Sequence, residues 1–571
     1  MKTILGYLRP HAPRVAAGVT VKFTAAVLEL LLPLLLARII DDCVPARDLP
    51  GVFRAGGLML LMAFGAAFCN ITANRMAAWV SMDVTRRLRR DLYRRTLLLS
   101  QAQQERFSVS SIVSRLTNDT YNVHQMFDKI QRGGIRAPML VLGGLALTFF
   151  QAPLLALVQL AVCSATFLAI WLVTRQGIPR YARAQEAVDA VVRILRENAS
   201  GVRVIKALAC QERERERFNA ASRASRDAEE AAGGVMAAAN PLSDFLLNLG
   251  LVLVVLAGAA LVNRGWMSSG QIVAFLSYFT IIQTATLGLA KLFVKYSKGV
   301  ASARRIEEVL LAPEDQTART AGEADLRGPE LGMENVSFSY LGVEKDLDGA
   351  SFSLNKGETL GILGPTGAGK TTLISLLLRL YDADGGVVWL GGRDVSTLSR
   401  ESLRGRFGVV FQNEALLNDS VYENISFLRG LPREDAAAAA KTAQAWEFIE
   451  KLPGGLDARL DIRGANLSGG QRQRLLIARA LAARPGILIL DGADSALDYR
   501  TAAALHAAVR RDFPGVTLVV VSERVASLRD ADRILVLEDG VIAAQGSHGE
   551  LLASCGRYRR MAELQMGGLD G

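Results

Sequence analysis

The stretch Gly361-Ile-Leu-Gly364-Pro365-Thr366-Gly367-Ala368-Gly369-Lys370-Thr371-Thr372 has residue types and spacing suited to holding phosphate. In a G-x-x-x-x-G-K-T pattern the glycines let successive backbone N–H groups turn inward around phosphate oxygens. Lys370 then neutralises the terminal phosphates, Thr371 offers a hydroxyl to magnesium, and a helix N-terminus adds the positive end of its dipole. A chance glycine-rich turn is the competing reading. The flanking elements argue against it, because a short apolar run precedes the loop and the helical pattern Leu373 to Leu380 comes after it.

The elements that position this loop come from a domain of alternating type. Short apolar runs at Thr359 to Leu363, Gly408 to Phe411, Ile487 to Leu490, Thr517 to Val521 and Arg533 to Leu537 are separated by helical stretches, the pattern of an α/β domain built on a largely parallel sheet. This domain is expected over 329–571. Ahead of it, 311–328 is rich in Asp, Glu, Thr, Ala and Gly without apolar periodicity and reads as a linker.

Residues 1–310 have a different character. The 571-residue chain is 50% hydrophobic with positive mean hydropathy, high for a wholly soluble protein. Apolar spans recur near 15–40, 55–80, 133–151, 154–174, 242–263 and 271–290, each near the ~20 residues that cross a bilayer. The fold class expected is a polytopic α-helical membrane domain of six transmembrane helices, with long cytoplasmic extensions, fused to an α/β phosphate-loop NTPase domain. Spans three and four are separated only by Gln151-Ala-Pro153, which requires a tight turn. Ala182 to Ala199 and Gln211 to Ala232 mix charges with helically spaced apolar residues, so the helices are expected to run on beyond the bilayer.

The formal net charge is +10, with basic residues concentrated beside the spans. Membrane-side charge accounts for them more simply than a nucleic-acid partner. The arginines from Arg86 to Arg115, and the basic residues from Arg180 onward, place those connections and both termini in the cytoplasm. A bacterial inner membrane is the expected location, with membrane lipids as neighbours. The five cysteines lack metal or disulfide spacing. Met1 to Pro10 reads as an amphipathic segment along the membrane surface, retained rather than cleaved, and leaves no room for an N-terminal protease domain. Among charges inside the spans, Lys22, Glu29, Asp244, Lys291 and Lys295 are path candidates. The snorkelling alternative is stronger for the three lysines, so the shared face of Asn240, Asp244 and Asn248 is favoured as cavity lining.

Six spans followed by a phosphate-loop domain that contains Asn466-Leu467-Ser468-Gly469-Gly470-Gln471-Arg-Gln-Arg474 closely resemble the ATP-binding cassette exporters, as a half-transporter. The resemblance covers essentially the whole chain. It implies that Leu467 to Gln471 begin a helix that contacts ATP held by a second cassette, so that two chains are required. It further implies that Tyr340 stacks on adenine, that Gln412 and Asp491 join Thr371 at magnesium, and that Ser495-Ala-Leu-Asp498 faces the partner. Ser110 to Asp119 and Gly201 to Lys206 resemble coupling segments that plug into the cassettes. Tyr340 by itself would more often be a packing residue; its position one strand before the phosphate loop favours the stacking role.

The departures from the family pattern fall on hydrolysis. Gly492 stands where a glutamate should polarise the attacking water, and Glu523 stands where a histidine should contact the γ-phosphate. Loss of a general base removes about 10²- to 10⁴-fold of rate. A like charge ~4 Å away at an effective dielectric of ~20 repels by about 4 kcal/mol. Ile462 replaces an expected acidic residue and Asp494 a small polar one. None of His11, His124, His506 and His548 falls where it could substitute.

The resulting expectation is the degenerate subunit of a heterodimeric exporter for drugs, lipids or other amphiphilic small molecules. It binds Mg-ATP, turns it over slowly, and completes a competent site on a different partner that retains glutamate and histidine. The alternatives are an ATP-gated regulatory or channel-like protein, and a homodimer using Glu523 or Asp494 as a displaced base.

Overall fold

The computed structural model describes residues 2–314, 316, 330–412 and 414–566. Most of the expected linker 311–328 therefore lies outside the described residues, as do the side chains of Lys291, Asp494 and Ser495. The chain divides into two compact units: Met1–Leu98 with Ser108–Ala312, and Leu99–Phe107 with Pro313–Gly571.

Among the described residues, six helical segments of the first unit are long and apolar enough to cross a membrane. Leu49–Leu98, Pro153–Ala207, Ala239–Asn263 and Ser269–Leu310 contain four of the expected spans; Ala12–Arg38 ends two residues short of the first, and Arg136–Gln151 begins three residues into the third. The tight turn at Gln151-Ala-Pro153 is made by Ala152, whose extended backbone separates two helices. Pro153–Ala207 runs 55 residues unbroken, about 80 Å at 1.5 Å per residue, and Gln211–Ala237 continues the mixed-charge pattern as helix.

Small residues let these helices approach. Ala26, Ala137 and Ala274 pack with Leu30, Leu140, Tyr278 and Ile282, and the Tyr278 hydroxyl donates to the Leu30 carbonyl at 2.6 Å. A Cβ added at Gly250 would stand 2.2 Å from Phe279 Cζ, so that contact needs glycine.

One sequence expectation is corrected here. The N-terminal stretch forms the short helix Lys2–Gly6 and is tied to the bundle, with Ile4 fully buried, Leu5 exposed, and the Tyr7 hydroxyl donating to Asp91 Oδ2 at 3.0 Å. Ile4 and Leu5 thus do not share one apolar face. Ser110 to Asp119, one of the two stretches that resemble coupling segments, groups with the first unit, where Asp119 pairs with Arg305, while the helix Gln101–Phe107 groups with the second. Gly201 to Lys206 likewise lies in the first unit, in the last turns of Pro153–Ala207.

The second unit holds two sheets. Strands β1 (Leu331–Phe338), β2 (Leu347–Leu354), β4 (Gly385–Leu390) and β5 (Arg393–Asp394) form one in the order β2-β1-β4-β5, with antiparallel pairing. The other has the order β10-β9-β3-β8-β7-β6, from β3 (Thr359–Leu363), β6 (Phe407–Val410), β7 (Ile487–Asp491), β8 (Thr517–Ser522), β9 (Arg533–Glu538) and β10 (Val541–Gly546). All its pairs are parallel except β9 with β10. Strands β3, β7 and β8 are buried along their whole length, which is why they read as continuous apolar runs.

Candidate nucleotide site

Four neighbouring strands, β3, β8, β7 and β6, end at one edge of the parallel sheet, the edge at which α/β sheets bind ligands. Register fixes what meets there. Leu363 pairs with Ser522, Asp491 with Val521, and Val410 with Leu490. The residues just beyond these pairs, Gly364, Glu523, Gly492 and Gln412, are brought together by that alignment. A cavity of about 570 Å³ lies at this edge, and its walls include Thr366, Gly367, Gly369, Lys370, Thr371, Thr372, Gln412, Asp491, Gly492 and Glu523.

The phosphate loop leaves β3 and enters the helix Lys370–Leu377 through Gly369, whose φ of +95° favours glycine. Lys370 folds back over the loop, and its Nζ donates to the carbonyls of Gly364 at 2.7 Å and Pro365 at 2.8 Å. It also meets Glu523 Oε1 at 3.5 Å, an oxygen that accepts from the Thr366 hydroxyl at 3.0 Å. The carboxylate at the expected histidine position therefore clasps the loop lysine and the loop threonine. Ala368 is buried under the loop.

Asp491 ends β7 and is buried. Burial raises its carboxyl above the ordinary range, opposed by the Lys370 charge and a hydrogen bond with Thr371. Its Oδ2 is buried with no hydrogen-bond partner among the described residues. An orphaned carboxylate oxygen beside a hydroxyl and a glutamine amide fits a hard divalent cation.

Gly492 has φ +63° and donates its N–H to the Val521 carbonyl at 3.0 Å. A Cβ there would lie 3.6 Å from Gln412 Cγ, an ordinary contact, so space alone does not demand glycine. The left-handed backbone does favour it, by roughly 1–2 kcal/mol over other residues. No histidine lines the cavity among the described residues; His548, for one, shares a hydrogen bond of 2.7 Å with the Tyr558 hydroxyl.

Other sequence-derived candidates lie apart. Tyr340 comes after β1, and β2 as well as β3 intervenes before the phosphate loop, one strand more than the sequence reading placed there. Its ring is 41% exposed, sits edge-on to Phe338 and Tyr381 at 4.9 and 5.1 Å between centroids, and does not line the cavity. Tyr381 in turn donates to Glu105 Oε1 at 2.5 Å, and burial together with that carboxylate raises its phenol.

Leu467, Ser468, Gly469, Gly470 and Gln471 are also outside the cavity. Ser468 caps the helix Gly469–Ala482 in a reciprocal box with Gln471, and its exposed position leaves the helix N-terminus facing solvent. Farther along this helix, buried Arg479 donates to the Asn424 carbonyl at 2.8 Å, Asn424 Oδ1 at 3.0 Å and Glu414 Oε1 at 2.9 Å. Asp498 caps the helix Tyr499–Asp512 by accepting from the Thr501 N–H and hydroxyl, which hold its carboxyl low. Ile462 is 71% exposed.

Sequence reading missed Asp346, Ser522 and Arg524, which also line the cavity. It also missed the helix Gln101–Phe107, although Ser100 and Gln103 form a reciprocal capping pair whose S-x-x-Q spacing was available in the sequence.

Comparison with known proteins agrees with this architecture. A family model described as the ABC transporter transmembrane region matches residues 15–286, and one described as ABC transporter matches 347–495. The chain is 33% identical over 572 residues to the uncharacterized ABC transporter ATP-binding protein YfiB of Bacillus subtilis (strain 168), covering 99% of both. It is 32% identical over 525 residues to the fatty acid ABC transporter ATP-binding/permease protein of Mycobacterium bovis, covering 91% of this chain and 83% of that one. A solved bacterial Atm1-family ABC exporter with ATP bound has the same fold, with TM-score 0.85 at 24% identity over 98% of this chain and 99% of that one. A membrane unit of six candidate spans joined to a phosphate-loop unit, together with these matches along the whole length, shows that the chain belongs to the ABC transporter family and has the fold of an exporter half-transporter.

Proposed function

We propose that this chain is the degenerate-site subunit of a heterodimeric ABC exporter for amphiphilic small molecules. The observation that carries the reading is the composition of the cavity edge. The loop and cation-directed side chains Lys370, Thr371, Gln412 and Asp491 are together there, while Gly492 and Glu523 take the two positions that would serve hydrolysis. In this reading residues 1–310 are the membrane domain and 329–571 the ATP-binding domain, with the latter and both termini cytoplasmic.

Gly364 to Thr372 bind the phosphates, and Tyr340 takes the adenine. Thr371, Gln412 and Asp491 would hold magnesium, which when bound neutralises phosphate charge. Nucleotide must draw Lys370 away from Glu523, because the same ammonium cannot fully serve both anions. Without a carboxylate at Gly492, no side chain there orients or deprotonates water, so turnover in this site is slow. Leu467 to Gln471, on an exposed helix start outside the chain's own cavity, serve ATP on the partner. The fatty acid in the name of the Mycobacterium bovis relative supports a lipid-like cargo.

The test is ATPase activity of the purified chain, alone and co-expressed with a partner half-transporter that has glutamate and histidine at these positions. Activity is expected only with the partner. It should survive Lys370→Ala in this chain and vanish on removal of the partner's glutamate. Robust activity from this chain alone would favour the homodimer, with Glu523, which lines the same cavity, as a displaced base.

A further inference from the structure

The membrane unit contains a cavity of about 870 Å³ whose two ends differ in chemistry. Two of its helices fix the direction. Asp41, just past the end of Ala12–Arg38, accepts hydrogen bonds from the Ser268 hydroxyl and Gly270 N–H at the start of Ser269–Leu310. Thr3, at the other end of the first segment, donates to Glu307 near the end of the second. The two helices therefore run antiparallel, and Lys22 and Lys295 lie toward the same end of the cavity.

Lys129 and Arg132 join that end, just before Arg136 begins the next helix. The opposite end is walled by Leu32, Pro33, Leu36, Met59 and Leu140. From Lys22 to Leu36 the helical rise is about 21 Å.

Charge is not balanced within this space. Among the described residues, five cationic side chains line it against one carboxylate, Glu29. Glu29 is already committed to Arg136, which donates to it through Nε at 3.2 Å and Nη2 at 2.8 and 2.9 Å. Lys129 and Arg132 share the neighbouring Asp128. Lys22 is only 4% exposed, yet its ammonium is held by two neutral amides, Asn70 Oδ1 at 2.8 Å and Asn74 Oδ1 at 2.9 Å. No carboxylate pairs with Lys22 or Lys295 among the described residues. Glu29 reaches Lys22 only through Asn70, whose amide donates to Glu29 Oε1 at 3.4 Å; a buried ammonium with no directly bonded carboxylate is costly, and an anionic ligand would relieve that cost.

We infer that this cavity binds an amphiphile with a carboxylate or phosphate head, the head at Lys22 and Lys295 and the hydrocarbon toward Leu36 and Met59. The inference deepens the export reading and rests on it. It places the head at lysines that the sequence ranked below Asn240, Asp244 and Asn248. Those three are exposed and none of them lines this cavity, whereas Asn240 lines a separate cavity of about 560 Å³ in the same unit.

The experiment is nucleotide-free binding of radiolabelled hexadecanoate, hexadecyl phosphate, hexadecanol and hexadecyltrimethylammonium to the full chain in phosphatidylcholine nanodiscs, with empty nanodiscs subtracted. Inorganic phosphate serves as a head-only competitor. The two anionic amphiphiles should bind about tenfold more tightly than the alcohol, which matches one ion pair with a desolvated ammonium. The ammonium amphiphile should bind most weakly and inorganic phosphate should not compete. Lys295→Gln and Lys22→Gln should each reduce the preference for anions, and Lys22→Arg should retain it. Lys295 is exposed, so its variant tests the idea even where Lys22→Gln fails to fold.

Equal binding of all four amphiphiles, or an anion preference unchanged in Lys295→Gln, would overturn the inference while leaving amphiphile export standing. Competition by inorganic phosphate at equal strength would replace it with a small-anion site. No binding of any amphiphile would count against the export reading itself.

Discussion

The two halves of the nucleotide cavity are built on adjacent strands yet differ in kind. On the β3 side, the phosphate loop has every residue type that phosphate binding needs. On the β7 and β8 side, Asp491 retains an orphaned oxygen suited to a cation, but the next positions are a left-handed glycine and a carboxylate that holds the loop lysine. In the proposed reading, binding and hydrolysis are separable properties of neighbouring strand ends. A site can lose one with its scaffold intact, because the register of β3, β8 and β7 depends on buried apolar side chains and not on the residues just past the strand ends.

The strongest way to break this comparison is to restore the second half. Gly492→Glu combined with Glu523→His should raise the chain's own ATP turnover by about 10²- to 10⁴-fold, the usual worth of a positioned general base. Single-turnover hydrolysis by this chain paired with a partner lacking its glutamate measures it. Gly492→Ala is the control for backbone strain and should lower stability by roughly 1–2 kcal/mol without changing turnover, as φ is +63° there. Turnover unchanged in the double variant would mean that hydrolysis is limited elsewhere, at Ile462 or Asp494, and that the two halves are not independent.

A second test concerns the scaffold between the halves. Arg479 ties the helix that starts at Ser468 to the segment after Gln412 through Asn424 and Glu414, and its burial works against its own charge. Arg479→Ala removes the cationic partner of Glu414 and the donor to the Asn424 carbonyl, leaving Asn424 Oδ1 with the Leu417 N–H alone, and should destabilise the second unit by about 3–5 kcal/mol. Thermal unfolding monitored by circular dichroism reads this. Arg479→Lys should recover only part, since one ammonium cannot reach three acceptors in a fixed fork.

Legibility in the sequence split along the same division. Strands buried on both faces were visible because their side chains are apolar without interruption, so β3 fell where its run predicted and β6, β7, β8 and β9 within one residue. The antiparallel sheet was not visible. Its β1 and β2 mix buried and exposed positions without a regular period, with Gly332, Asn335 and Gly349 among them. The phosphate loop was readable because its spacing is its mechanism. The Glu523 clasp was not, because it depends on β8 pairing in register with β3 across more than 150 positions of chain. In the membrane unit, the six spans were legible from length and hydropathy. Which of the charged residues face the cavity was not, because that depends on helix rotation and antiparallel packing rather than on position along each span.

A smaller effect sharpens the role of the clasp. Glu523→Gln removes the anion that meets Lys370 and that, in the proposed reading, faces the incoming γ-phosphate. Glu523 is 61% exposed, so solvent screening reduces its contribution from the 4 kcal/mol expected of two like charges to about 1 kcal/mol. ATP affinity in this site should rise roughly fivefold, and more than ADP affinity does. Fluorescent-nucleotide titration of the full chain checks both. An equal gain for ADP and ATP would show that the clasp acts on the loop as a whole and does not read the γ-phosphate.

The smallest effect is a pH dependence on the retained half. Burial raises the Asp491 carboxyl above the ordinary carboxylate range. Magnesium requires the ionised form, and protonation competes with it below that raised value. As pH falls, magnesium-dependent ATP affinity should therefore decline earlier than it would with an unperturbed carboxylate, while magnesium-independent affinity, set by Lys370 and the loop N–H groups, holds to lower pH. The phosphates of ATP also protonate near neutrality, so the informative quantity is the difference between the native chain and Asp491→Asn across pH. That difference should be present at neutral pH and shrink on acidification, because the asparagine cannot ionise. A difference constant down to pH 4 would mean that Asp491 stays ionised throughout and that its Oδ2 is stabilised by more than the Lys370 charge and the Thr371 hydroxyl.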